Sequence, residues 1–422
     1  MTDRFHKVYV GIDIHSREHK VAIIPLDYLQ DPANKWNRVK TLVIRNNVDD
    51  YLRLEAAIKE HAGSPEQAAL AIDHTGGHYS EPCVYFLSTR GYTVYHLEPK
   101  GIKAARERLL DQENKSDSID AAGSAYLLYL RDAHGLSFRI SAIKPELGSK
   151  ASILYSFLLQ RKQYNKLANQ ATNRLHQLLI AVFPEAERDH FTKLLKVIPY
   201  YPTPVELIEN RDSKPSPTLR SKDWLTLTQL ASRTVGAPAE TYRELIKDLA
   251  SQRVHAMEKL KWLDSVIEKE VNTHPYGQVL LSFPGFGPIT GAIVISVVKD
   301  ISRWADKRKL KKAFGLYAYM KQSGTSLSRV KRGKEGNRYA RSLLFQACLR
   351  IISCRTPESD FKDYYLRQLA MGKTKMKALI STEAKLVEVI FYCLKNGKCY
   401  KYQGKYLPAH RHLLSSSATQ KQ

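Results

Sequence analysis

KVYVGIDI (residues 7–14), followed by KVAIIP (20–25) and RVKTLVI (38–44), decides the fold: three runs rich in β-branched residues, separated by polar turns, read as a three-strand meander. A helical period comes next at about 48–62 (VDDYLRLEAAIKEHA). An apolar strand at 68–72 (AALAI), a helix near 79–90, a strand at 93–97 (TVYHL) and helices to about 132 complete the segment. The order β-β-β-α-β-α-β-α predicts a mixed α/β sheet flanked by helices.

This order gives meaning to the carboxylates. Asp13 lies near the end of the first strand and Asp73 ends the fourth, so if the two strands are neighbours both acids open at one sheet edge. In KSDSIDA, Asp117 and Asp120 are spaced i, i+3 and share one face of a helix that begins there. Four converging carboxylates repel one another unless a hard multivalent cation sits among them, which makes Mg²⁺ or Mn²⁺ the expected cofactor. Two such ions about 4 Å apart activate a nucleophile and stabilise a leaving oxygen in phosphodiester cleavage. A mixed sheet flanked by helices in this order is the arrangement of ribonuclease-H-like nucleases, although fold alone does not fix activity. Taken singly, Asp13 reads as well as a strand-end turn residue and Asp117 as an N-cap; the conjunction is the specific signal. An Asp at the end of a first strand also opens the phosphate loop of actin-like ATPases. Those loops need glycine soon after the acid, and here Ile14, His15 and Ser16 follow. His15, His19, His74 and His78 lie near turns, read as solvated or outer-sphere groups, and stay outside the core set.

The chain has 422 residues, enough for two or three domains, and carries 66 Lys and Arg against 42 Asp and Glu, a formal charge of +24. Such a surplus points to a polyanionic partner, with nucleic acid foremost. Residues 1–135 hold 17 basic and 19 acidic side chains, whereas residues 136–422 hold 49 and 23, so the basic work lies after the sheet. The densest stretch, 301–350, has 14 basic residues and two acidic ones, interleaved with Trp304, Phe314, Tyr317 and Tyr319. Five scattered cysteines form no C-x-x-C pair and fit reduced thiols; Cys393, Cys399, His410 and His412 match no common zinc spacing. No window reaches the ~18–20 apolar residues of a membrane span, and the polar start lacks a signal h-region. A soluble cytoplasmic protein is expected, with no membrane partner.

After the sheet, apolar residues from Leu154 to Val182 recur at helical spacing, and a second helical stretch at about 238–272 could pair with the first. Between them Pro202, Pro204, Pro215 and Pro217 mark 199–222 as a loop or linker. LLSFPGFGPITGAIVISVVK (280–299) sets a Pro-Gly-x-Gly turn between two apolar helices. There Gly285 and Gly287 would let backbone approach a phosphate at a helix N-terminus, like a helix-hairpin-helix DNA-backbone clamp. Further on, Gln322, Ser323 and Gly324 read as a polar turn that leaves the serine hydroxyl open. Around it stand Lys321, Arg329, Lys331, Arg332, Lys334, Arg338 and Arg341, suited to neutralise phosphoryl charge. From residue types alone an ordinary turn serine is the simpler reading.

These boxes together resemble a known family. The first-strand acid, Asp73 with Thr75 and Gly76, K-S-D-S-I-D-A, S-F-P-G-F-G-P-I-T-G, F-G-L, Q-S-G and K-R-G-K-E-G-N-R-Y-A-R, in that order, are similar to the DEDD-type insertion-sequence transposases over about residues 7–400. That family includes Piv-like DNA invertases and recombinases guided by a bridge RNA. The resemblance implies a RuvC-like domain at 1–135 and a helical, coiled-coil middle at 136–275. It further implies a mostly α-helical serine transposase domain at 276–405; residues 406–422, with a Ser-rich end, are expected to be a flexible tail. It assigns the four acidic positions to Asp13, Asp73, Asp117 and Asp120, and the nucleophile to Ser323. Double-stranded DNA, a guide RNA and a dimer or tetramer of the chain follow as expected partners, in the bacterial cytosol at the nucleoid. One position departs from the pattern: the family has Glu where this chain has Asp73, one methylene shorter. The alternative that the residues themselves allow is a structure-selective, junction-resolving nuclease that forms no covalent intermediate and has no use for Ser323.

Overall fold

Each strand expected in the first hundred residues forms: β1 (Val8–Asp13), β2 (His19–Pro25), β3 (Thr41–Ile44), β4 (Ala68–Asp73) and β5 (Thr93–Leu97). In this computed structural model the described residues are 5–73, 77–97, 116–135, 140–142, 145–213, 219–238, 240–323, 326–333, 336–353 and 358–404. The sheet has the order β3-β2-β1-β4-β5-β6, where β6 (Ile140–Ala142) is a three-residue strand that sequence patterning did not anticipate. β4 lies parallel between β1 and β5, and the other pairs are antiparallel.

Alternation along the strands builds two cores. Val8, Val10 and Ile12 of β1, with Leu70 and Ile72 of β4, pack under the helices Val48–Lys59 and Glu81–Thr89 through Tyr51, Leu54, Ile58, Cys83 and Leu87. On the opposite face, Tyr9, Ala22, Ala69 and Ala71 pack against Ala121, Ala122, Ala125 and Leu128 of the helix Asp117–His134. Small residues meet small residues there, so this helix lies close to the sheet. At Gly11 the approach is closest: a Cβ would stand 1.9 Å from the carbonyl oxygen of Ala121 and 2.6 Å from the amide nitrogen of Ala125. Only glycine fits, and the helix start is thereby held over the end of β1.

The chain divides into two compact units, residues 1–153 with 294–422, and residues 154–293. Within the first, β6 packs against the single turn Ile301–Arg303. Nearby Lys299 takes a left-handed conformation, φ 55°, at the end of the helix Pro288–Val298. Burial lowers the pKa of Lys299; Arg303 adds to this, and the charge of Glu81, from the N-terminal segment, opposes it. The remainder of the C-terminal segment is mostly helical: Lys307–Ala313, Arg338–Ile352, Asp360–Ala370 and Lys375–Asn396. An antiparallel ribbon of β7 (Ala318–Ser323) and β8 (Ser326–Arg332) interrupts them. This ribbon corrects the turn expected at 322–324: Gln322 and Ser323 end a strand.

In the second unit, residues from 154 onward of the long helix Pro145–Val182 run antiparallel to the helix Arg243–Thr273, joined by Ala168, Ala256 and Leu260 and by the Arg161–Asp264 ion pair. The proline-bearing stretch expected as a linker is also corrected. Pro204 opens a helix, Pro204–Glu209, capped by reciprocal hydrogen bonds between Thr203 and Glu206, and Leu207 and Leu219 are buried in a core with Phe183 and Trp224. Among the described residues no helix is long and apolar enough to cross a membrane.

Candidate metal centre and strand-holding elements

Asp13 is the last residue of β1 and falls on the face shared by Tyr9 and Gly11, beneath the helix Asp117–His134. It is 6% exposed. A carboxylate taken so far from water needs a partner of opposite charge or a set of donors. The structure supplies His15, whose Nε2 lies 3.1 Å from Asp13 Oδ2 and 3.3 Å from Asp117 Oδ2. Asp117 is the first residue of its helix; Ser116, not Asp117, is the N-cap. A hydroxyl–hydroxyl hydrogen bond of 2.9 Å between Ser118 and Thr41 of β3 ties that helix start to the sheet. Ligand atoms of Asp13, His15 and Asp117 all lie within 4.8 Å of one another. Two carboxylates and an imidazole at that spacing fit one divalent cation. Asp117 is 44% exposed at its side chain, so the group opens to solvent on the helix side.

Asp120 stands one turn on, on the face that i, i+3 spacing requires, and is buried at 8% exposure, but it is not a member of that close group. Asp73 ends β4, and the parallel register that pairs Ile12 with Ile72 sets its backbone level with Asp13; its side chain lies outside the described residues, as does His74. Glu81 opens the helix Glu81–Thr89, directly after the single-turn helix Gly77–Ser80. The residue that sequence reasoning left out is His15. Its signal was the D-x-H spacing, since alternate residues of an extended chain share a side.

On the basic side, Ser323 is paired with Ser326 at the end of the β7–β8 ribbon, after a bulge beyond Lys321; Gly324, Thr325 and Lys334 lie outside the described residues. Register places Lys321 opposite Arg329 and Tyr319 opposite Lys331, with Arg332 opposite Ala318. Gly336, at φ +99°, lets the chain turn against the carbonyls of Lys312 and Ala313, and Asn337 then caps the helix Arg338–Ile352 by accepting from the Ala340 amide. Arg338 is exposed on that helix, and a buried guanidinium nitrogen of Arg341, Nη1, has no hydrogen-bond partner among the described residues. In the second unit, Gly285 has φ +70° in the turn between the helices Gly277–Leu281 and Pro288–Val298, and a Cβ on Gly287 would meet nothing within 4 Å.

Residues 10–184 match the DEDD transposase model of the IS110 type, described as a transposase, and residues 277–366 match a family described as Transposase IS116/IS110/IS902 family. The chain is 28% identical over 307 residues to a 43.6 kDa protein of insertion element IS110 from Streptomyces coelicolor, covering 68% of this chain and 73% of that one. It is 23% identical to a 44.8 kDa protein of insertion element IS116 from Streptomyces clavuligerus, over 95% of this chain and 98% of the other. A 42 kDa protein of insertion element IS900 from Mycobacterium paratuberculosis is 30% identical over 32% of this chain and 34% of its own length.

Proposed function

From the premise that the chain belongs to the DEDD-type IS110 family of insertion-sequence transposases, enzymes that act on DNA, we propose that it cuts and rejoins DNA strands by a serine nucleophile working beside a carboxylate-held divalent cation. The observation that carries this reading is the meeting of Asp13, His15 and Asp117 at the exit of the central strands. Asp13 and Asp117 hold Mg²⁺ or Mn²⁺, with Asp73 and Asp120 completing the set, in a domain of RuvC-like fold. When bound there, the cation supplies charge neutralisation and Lewis acidity at a phosphate.

Ser323 attacks the phosphorus: its Oγ gives up a proton as the phosphoserine bond forms, and the displaced sugar oxygen leaves and takes up a proton. Attack by a sugar hydroxyl on the phosphoserine reverses these bonds and joins a strand. Arg329, Lys331, Arg332, Lys334, Arg338 and Arg341 hold the phosphates of the strand. Like charges placed opposite each other in a ribbon are unfavourable until an anion joins them, which suits Lys321 and Arg329 to this task. Gly285 and Gly287 add backbone donors to the DNA. Acids and serine belong to one compact unit of the chain, which supports a shared centre. Phosphate contacts give affinity without base choice, and a guide RNA supplies that choice by pairing. The antiparallel helices of the second unit act as a coiled coil in a dimer or tetramer, and the enzyme works in the bacterial cytosol at the nucleoid.

Cleavage of a DNA carrying the element's ends tests the reading. Asp13→Asn and Asp117→Asn should abolish cleavage while leaving DNA binding intact, and Ser323→Ala should abolish both cleavage and the covalent protein–DNA adduct. Cleavage retained by Ser323→Ala, with the acids still required, would identify a junction-resolving nuclease instead.

A further inference from the structure

We propose that His15 is a direct nitrogen ligand of the cation at Asp13 and Asp117, and that it biases the centre toward Mn²⁺ over Mg²⁺. This rests on the metal reading above and adds a residue that the four-acid pattern does not contain. Asp13 and Asp117 approach from different layers, a strand end and a helix start, and the Nε2 of His15 stands between them at 3.1 Å and 3.3 Å.

The turn that presents the ring is itself tied down. The His15 amide donates to Nδ1 of His19 at 3.3 Å, and His19, fully buried, pairs through Nε2 with Asn46 Oδ1 at 2.9 Å. The Tyr51 hydroxyl donates to the same oxygen. With Nδ1 of His19 accepting, its proton sits on Nε2 and faces Asn46, so the tautomer and the ring position are both set. The chain after β1 is therefore pinned to the loop after β3 and to the helix Val48–Lys59. The His15 ring, 40% exposed, is left at a solvent-accessible edge that a cation can reach.

Contact with a carboxylate places a proton on His15 Nε2, whereas ligation needs the lone pair of that atom. The cation replaces the proton, and the neutral ring keeps its hydrogen on Nδ1. Mg²⁺ holds to oxygen ligands and keeps several waters, while imidazole suits transition metals that also accept carboxylates. A single nitrogen among oxygens therefore tilts the site toward Mn²⁺.

Electron spin-echo envelope modulation of Mn²⁺ bound to the full-length protein, grown with ¹⁵N-histidine and with ordinary histidine, reads the ligand directly. The expected result is a histidine nitrogen coupling that His15→Gln removes, with Mn²⁺ affinity lowered about tenfold and Mg²⁺ affinity changed little. Thermal unfolding shows separately that the variant is folded. Mn²⁺ that binds and requires Asp13 but shows no histidine nitrogen, or keeps that nitrogen in His15→Gln, overturns the ligand role and leaves the carboxylate site standing. Mn²⁺ binding unchanged by Asp13→Asn and Asp117→Asn overturns the metal reading and this proposal with it.

Discussion

The acids and the serine sit on very different supports. Asp13 and Asp117 leave a six-stranded sheet and a helix seated on it through Gly11, with cores on both faces. Ser323 leaves a two-stranded ribbon that, among the described residues, pairs with no further strand. Metal ligands must keep their spacing before the ion arrives, and a packed three-layer core provides that. A two-stranded ribbon is marginal alone and gains its stability from what it packs on or binds. Under the proposed function, the acid side is preorganised by folding and the serine side is completed by nucleic acid.

Substitutions sharpen or break this contrast. Ser323→Ala should lower strand transfer by at least about 10⁴-fold, as loss of a nucleophile does, with thermal unfolding unchanged. Asp13→Asn should lower Mn²⁺- or Mg²⁺-dependent cleavage by more than about 100-fold while the fold persists, measured by single-turnover cleavage and circular dichroism. Gly11→Ala strikes the support itself: overlap with the backbone of Ala121 should cost about 3 kcal/mol in chemical unfolding and weaken metal binding with it. If Gly11→Ala left both untouched, the preorganised half of the comparison would fail. Replacing Arg329 or Lys331 by Ala should weaken DNA binding uniformly across sequences and reduce the salt slope of binding by about one each.

The smallest effect concerns the second unit. Hydrogen bonds from Arg220 and then Lys193 hold the carboxyl of Asp223 down at about 2, below its ordinary 3.8. The folded value is depressed, so the stabilisation is present above the ordinary value and lost as the pH falls through about 2. Asp223→Asn should therefore melt lower than the natural chain at pH 7, and the gap should close between about pH 4 and 2.

Much of this was legible because local patterns carried it. Three β-branched runs and two further apolar runs marked five strands, and K-S-D-S-I-D-A marked a helix start with both acids on one face. What resisted reading was either non-local or too brief. The parallel pairing of β1 with β4 is a long-range contact, β6 has three residues, and SLSRVKR lacks the apolar alternation that announces a strand. His15 was visible, but its meaning depended on where Asp117 would land. The stretch around Pro204 was misread for a different reason: proline suggested a linker, although T-P-V-E carries both the capping box and the proline that open a helix.

The most direct test of the central claim is mass spectrometry of the peptide left covalently attached to cleaved DNA. With Mg²⁺ or Mn²⁺ present, the adduct should map to Ser323, and it should vanish in Asp13→Asn and in metal-free solution. An adduct on another residue, or one that forms at Ser323 without the cation and without Asp13, would contradict a shared centre of acids and serine.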